Sequence, residues 1–171
     1  VRASWREVVR GERLTVGDVR VEVAHPPRPD WERQRVRNDD SVVVALHYRR
    51  VRLLLTGDIG TAVEPDLAAA FAVPEGAPRP LTFLKVSHHG SAGASSAAWL
   101  DAVRPSGAMV SAGAANPFGH PAPATLERLR LAGVDVWRTD RDGEVTVRTD
   151  GAVAEMSSYT GRRGWFAPQP R

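Results

Sequence analysis

Two short apolar runs that break off at polar, metal-competent side chains constrain this chain more than any other feature. Val51 to Leu55 stops at Thr56-Gly57-Asp58, and Leu81 to Val86 stops at Ser87-His88-His89-Gly90-Ser91. A nearly continuous apolar run of this length suits a strand buried on both faces of an α/β sheet, so the residues after the break fall at the sheet's rim. Gly57 and Gly90 let the backbone turn sharply there and approach a bound group. Carboxylate and imidazole are the donors of catalytic zinc, manganese or iron sites, and the chain has no cysteine, which removes thiolate sites and disulfides. Thr-Gly-Asp taken singly reads as a turn. Adjacent histidines are harder to dismiss, because neighbours on an extended segment point opposite ways and a buried imidazole needs a partner. A third stretch, Asn116-Pro117-Phe118-Gly119-His120-Pro121, joins them as a candidate part of the same site.

The rest of the chain fits an alternation of strands and helices. Val19 to Val23 alternates strictly and predicts a half-exposed strand, followed by a proline-rich loop with His25 at its edge. Arg28 to Arg37 gathers arginines around Trp31, a mix able to grip a nucleic-acid backbone, though such a loop is more commonly just solvated. Ser41 to Tyr48 and Val51 to Leu55 predict a hairpin through Arg49-Arg50, with His47 at a polar, surface position. Thr61 to Phe71 predicts a helix capped by Thr61, with Glu64 in capping-box spacing. A strand over Thr82 to Val86, a helix capped by Ser95-Ser96, a buried strand at Ala108 to Val110 and a helix capped by Thr125 and closed by Gly133 come next. Strands at Val134 to Trp137, Glu144 to Arg148 and Ala152 to Met156 close the fold. Residues 1–157 are read as one partial domain and 158–171 as a tail of little periodic pattern with a disordered end.

At 171 residues and 42% hydrophobic content the chain is long enough for one sizeable core. Net charge is a modest +3, yet the basic residues are all arginine except Lys85. Arginine suits phosphate contacts, although an arginine-favouring codon usage explains the bias more simply. No run approaches the roughly 18 apolar residues of a membrane span, and no signal peptide is visible.

The motifs Asn38-Asp39-Asp40-Ser41-Val42-Val43, Leu54-Leu55-Thr56-Gly57-Asp58, Leu84 to Ser91, and Ser111-Ala112-Gly113 with Asn116 and Gly119-His120-Pro121 resemble, in order and spacing, the metallo-β-lactamase-like domain of the ComEC competence proteins. The resemblance covers roughly residues 20 to 155. It implies an α/β fold, the C-terminal part of a metallo-β-lactamase αβ/βα sandwich. The His-x-Asp/His-x-Asp-His box that opens domains of that superfamily does not occur here, so the chain is expected to be the later part of a longer domain.

The resemblance further implies one or two divalent metals, zinc or manganese, with Asp58, His88 and His120 as ligands and His89 holding or protonating a scissile phosphate. Lys85, Ser91 and Asn116 are candidate substrate contacts. The implied substrate is DNA, cleaved at a phosphodiester during uptake, and the implied setting is a soluble, extracytoplasmic part of a membrane protein whose channel belongs to the same polypeptide. The fragment itself is expected to bind metal poorly and to be inactive. Two other readings stay open: a non-catalytic module that guides DNA, and a soluble small-molecule hydrolase of the same fold.

Overall fold

The computed structural model describes residue 4 and residues 6–28, 36–74 and 76–168. Trp31 and most of its arginine-rich loop, and the last three residues, lie outside the described residues. In chain order the elements are β1 (Arg13–Val16), β2 (Val19–His25), β3 (Val43–Tyr48), β4 (Val51–Leu55), α1 (Glu64–Phe71), β5 (Leu81–Lys85), α2 (Ala97–Val103), β6 (Gly107–Val110), α3 (Pro123–Leu131), β7 (Asp135–Arg138), α4 (Thr139–Asp142), β8 (Val145–Thr149), β9 (Ala154–Ser158) and β10 (Arg163–Phe166).

Strands β1 to β7 form one sheet in sequence order, antiparallel from β1 to β4 and parallel from β4 to β7. The change follows from the connections: a two-residue turn forces β3 and β4 antiparallel, whereas crossovers through α1, α2 and α3 permit parallel neighbours. Strands β8, β9 and β10 form a second, antiparallel sheet. This is the α/β sandwich expected from the sequence.

Alternation along β4 and β5 explains why both read as continuously apolar. Leu54 and Leu84 face a core shared with Leu67, Phe71, Trp99, Leu100 and Leu129 of the helices. Val51, Leu81 and Phe83 face a second core with Trp137, Ala154 and Met156, beneath the smaller sheet. Trp99 and Trp137 are both fully buried, one in each core. Each large apolar side chain so placed contributes about 1.5–3 kcal/mol.

Several local expectations are corrected. Glu64 does not cap its own helix: it is buried, and its carboxylate accepts the Ser95 and Ser96 backbone N–H groups at the start of α2. Two backbone donors at the entry to one helix are thus satisfied by the first residue of another. Ser96 caps α2 as expected, accepting from Trp99 N at 3.2 Å. The N-cap of α3 is Ala122, and Thr125 is buried, donating its hydroxyl to the Ser91 carbonyl at 2.7 Å. Residues 163–166 are not a patternless tail but pair with β9, and Phe166 meets Phe83 edge to face at 5.3 Å. The alternation there is hidden by Arg163 and Trp165, which face outward.

Candidate functional site

Parallel strands β4, β5 and β6 end at the same rim, so the loops that follow them meet. After β4, Gly57 takes φ +55, and a Cβ on it would lie 2.7 Å from the Ser41 Cβ. That close approach lets the Ser41 hydroxyl accept the Asp58 N–H at 3.1 Å, fixing the start of the Asp58 loop. After β5, His88 and His89 both adopt left-handed backbone (φ 47 and 54), which non-glycine residues seldom do. Gly90 follows at φ +80, packed so closely on Pro121 that a Cβ would sit 2.7 Å from its side chain. The strain sends the two imidazoles in different directions.

His89 turns toward Asp58. Its Nδ1–H donates to the Ser111 carbonyl, just past β6, at 2.7 Å, and its Nε2 stands 3.5 Å from Asp58 Oδ1. With Nδ1 committed as donor, a neutral ring presents a lone pair to the carboxylate, and two acceptors facing each other are stable only with a proton or cation between them. Both side chains are about half exposed, so the pair is open to a ligand from solvent.

His88 turns the other way. The Asn38 side-chain amide lies 3.3 Å from its Nε2, and its ring meets that of His120 edge to face at 5.8 Å. His120 in turn stacks on Phe118, whose ring is 77% exposed. The His120 Nδ1 is buried with no hydrogen-bond partner. Asn116 holds this loop from within: its side chain accepts the His120 N–H at 2.9 Å and donates to the carbonyls of Gly113 and His120. Ala122 N–H reaches the Gly90 carbonyl at 2.8 Å and locks the loop to the histidine turn.

Of the residues singled out in the sequence, Asp58 and His89 are in direct contact, while His88 and His120 lie together beside them. Lys85 shares the neighbourhood: burial lowers its pKa, and the Asp58 charge opposes that shift. Ser91 and Asn116 are engaged in the scaffold, Ser91 through its backbone carbonyl and Asn116 through both ends of its amide. His25 is buried, with Nε2 2.6 Å from the Asp39 carbonyl, and so supports the 38–41 loop rather than facing Asp58. Asn38, Asp39, Ser41 and Ser111 stand in motifs that carry the resemblance, but sequence reasoning gave them no role at the site. Asp39 accepts the Gly60 N–H at 2.7 Å and so braces the segment after Asp58.

As a metal centre the rim is half built. One carboxylate oxygen and one imidazole nitrogen with facing lone pairs fit a zinc or manganese ion. Among the described residues no group of three or more His, Asp or Glu side chains gathers around a common point, so the described residues offer two facing donors, Asp58 and His89. No helix among the described residues is long and apolar enough to cross a membrane.

No family model matches the chain. It is similar to ComE operon protein 3 of Bacillus subtilis, at 30% identity over 153 residues, covering 90% of this chain and 19% of that protein. It is also similar to competence protein ComA of Neisseria gonorrhoeae, at 34% identity over 116 residues, 68% of this chain and 16% of that protein. Recombination protein 2 of Haemophilus influenzae matches at 32% identity over 113 residues, 66% of this chain and 14% of that protein. The chain therefore spans less than a fifth of the length of these relatives. With the ordered motifs that meet at the rim, these similarities make the chain a member of the ComEC family of competence proteins.

Proposed function

We propose that this chain is the part of a DNA-uptake protein that meets incoming DNA and hydrolyses its phosphodiester backbone at the Asp58–His89 pair. The observation that carries the reading is the 3.5 Å approach of Asp58 Oδ1 to His89 Nε2, with the opposite ring nitrogen fixed by the Ser111 carbonyl. An imidazole held in one tautomer beside a carboxylate is suited either to hold a metal ion through Nε2 or, where no ion occupies that nitrogen, to hold or pass a proton at an attacking water or a leaving oxygen. Phe118 stacked on His120 offers an exposed aromatic face for a base, and Lys85 a cation for a phosphate oxygen.

A zinc or manganese ion would be held by Asp58 and His89, with its remaining donors from outside the described residues. When bound it supplies a hydroxide at neutral pH and polarises a phosphoryl oxygen. The chain's own residues set the geometry: Ser111 fixes the His89 tautomer, Ser41 fixes Asp58, and Asn116 holds the loop carrying His120 and Phe118. The domain then works outside the cytoplasm, beside a membrane channel formed by other parts of the polypeptide.

The test is made in the full-length protein. Asp58→Asn and His89→Ala are expected to slow nucleotide release from labelled DNA by about 100-fold or more while DNA binding, read by gel shift, stays within about threefold. Undiminished release in both variants overturns the hydrolase reading. The two-donor count favours a second reading, a module that guides DNA without cutting it, and unimpaired uptake by both variants would support that. Calorimetry of the isolated chain is expected to show weak manganese and zinc binding, and a tight one-to-one complex would refute the half-site argument.

A further inference from the structure

At the opposite end of β4 the sheet carries a row of cationic groups that the hydrolytic reading does not use. The strand register sets Arg20 of β2 against His47 of β3, and His47 against Arg52 of β4, so three nitrogen-rich side chains stand side by side on one face. Two guanidiniums, Arg20 and Arg52, thus flank one imidazole in a row that contains no carboxylate, and like charges gathered on neighbouring strands are destabilising unless an anion offsets them. They line a cleft of about 450 Å³ together with Arg10, Arg13, Glu22 and the end of α1.

The charges do not cancel within the cleft. Arg13 pairs with Glu22 at 3.3 Å and Arg10 with Asp66 at 3.4 Å, whereas Arg20 has no carboxylate partner among the described residues. Arg52 is 5% exposed. It donates to Thr82 Oγ1 and the Phe71 carbonyl, yet its Nη2 is buried without a hydrogen-bond partner; the His47 Nε2 is also buried without a hydrogen bond, with Glu22 Oε2 3.8 Å away. Burial lowers the Arg52 pKa to about 10. Burial also lowers that of His47, with Arg20, Arg52 and Arg13 adding to the effect and Glu22 opposing it. With His47 neutral, four guanidiniums face two carboxylates and two positive charges remain.

We propose that this cleft binds a phosphate monoester, whose dianion is gathered by the Arg20–His47–Arg52 row. A terminal phosphate carries close to two negative charges at neutral pH and several acceptor oxygens, which matches the excess charge and the unpartnered donors. The volume is within the range of small-molecule sites and admits a mononucleotide. The same chemistry could come from a free nucleotide or from a phosphorylated strand end. The inference does not depend on Asp58 and His89, which lie beyond the other end of the strand.

The probes are inorganic phosphate, 5′-deoxyadenylate and deoxyadenosine, titrated into the chain at low ionic strength by calorimetry and by NMR of the His47 ring. Saturable one-to-one binding of phosphate and deoxyadenylate, in competition and with the His47 resonances moving, is expected. Deoxyadenosine should not bind. Arg20→Gln, a change at an exposed position that leaves the fold intact, should weaken both ligands about tenfold, and Asp58→Asn should leave them unchanged. A 5′-phosphorylated oligonucleotide that competes where its 5′-hydroxyl twin does not points to a strand end, and failure of both to compete points to free nucleotide; each supports the site. Absence of saturable phosphate binding, an unaltered affinity in Arg20→Gln, or deoxyadenosine binding as well as deoxyadenylate would overturn it.

Discussion

The two ends of β4 handle polar groups in opposite ways. At the Asp58 end they sit on loops past the strand termini, half in water, and backbone groups position them: the Ser111 carbonyl for His89, the Asp58 N–H for Ser41. At the Arg52 end they project from within paired strands, and register alone places them. Rigidity at the first end comes from backbone packing around Gly57 and Gly90. Each end leaves a buried nitrogen without a hydrogen bond, His120 Nδ1 at the first and Arg52 Nη2 at the second, but the second adds guanidiniums in excess of carboxylates. One end is built as a scaffold for geometry, the other as a store of uncompensated charge.

The largest effect should come from disturbing the rim's backbone. Gly90→Ala must place a methyl 2.7 Å from the Pro121 side chain in a left-handed conformation, while Gly113→Ala meets nothing within 4 Å and needs no unusual φ. Urea unfolding is expected to show a loss of about 3 kcal/mol for the first and less than about 0.5 kcal/mol for the second. Equal midpoints would mean that the histidine turn is not held by this packing.

A smaller contrast separates two buried charges. Glu64 accepts two N–H groups of α2, so Glu64→Ala strands both and should cost about 2 kcal/mol. Arg52 has an orphaned donor and a desolvated cation, so Arg52→Met should stay within about 1 kcal/mol of the parent. A loss for Arg52→Met as large as that for Glu64→Ala would show that Arg52 is kept for stability and not for an anion.

Much of the first end was legible in the sequence, because an apolar run that stops at Thr-Gly-Asp or Ser-His-His-Gly announces both a strand and its rim. Which histidine meets Asp58 was not: His88 was expected as the ligand and His89 as the catalytic group, and the left-handed pair of residues that turns His89 to Asp58 depends on Pro121 behind Gly90, thirty-one positions on. The supporting roles of Ser41 and Asn38 come from a motif that carries the resemblance, but their contacts to Asp58 and His88 are tertiary and no local pattern announces them. At the second end His47 read as a surface histidine. Alternation places it correctly on a polar face, but burial comes from α1 and from neighbouring strands, and cross-strand register is not written in any one segment. Glu64 misled for a related reason, since its spacing from Thr61 satisfies a local capping pattern that a tertiary contact overrides.

The finest discrimination between the two ends is pH dependence. Burial and the adjacent Arg20, Arg52 and Arg13 hold the folded His47 pKa below the ordinary 6.5, against the pull of Glu22. As pH falls the unfolded chain therefore takes up this proton first. The stability tied to neutral His47 is complete above about pH 6.5 and is lost as pH falls through the folded value. Unfolding free energy should drop as pH falls below about 6.5, and the drop should be shallower in His47→Gln, with the difference isolating this residue from the chain's other histidines. Bound phosphate would favour the imidazolium and flatten the parent's slope toward that of the variant. If parent and variant fall in parallel, with and without phosphate, His47 titrates as a solvated ring and the row at this end of the sheet holds no stored charge.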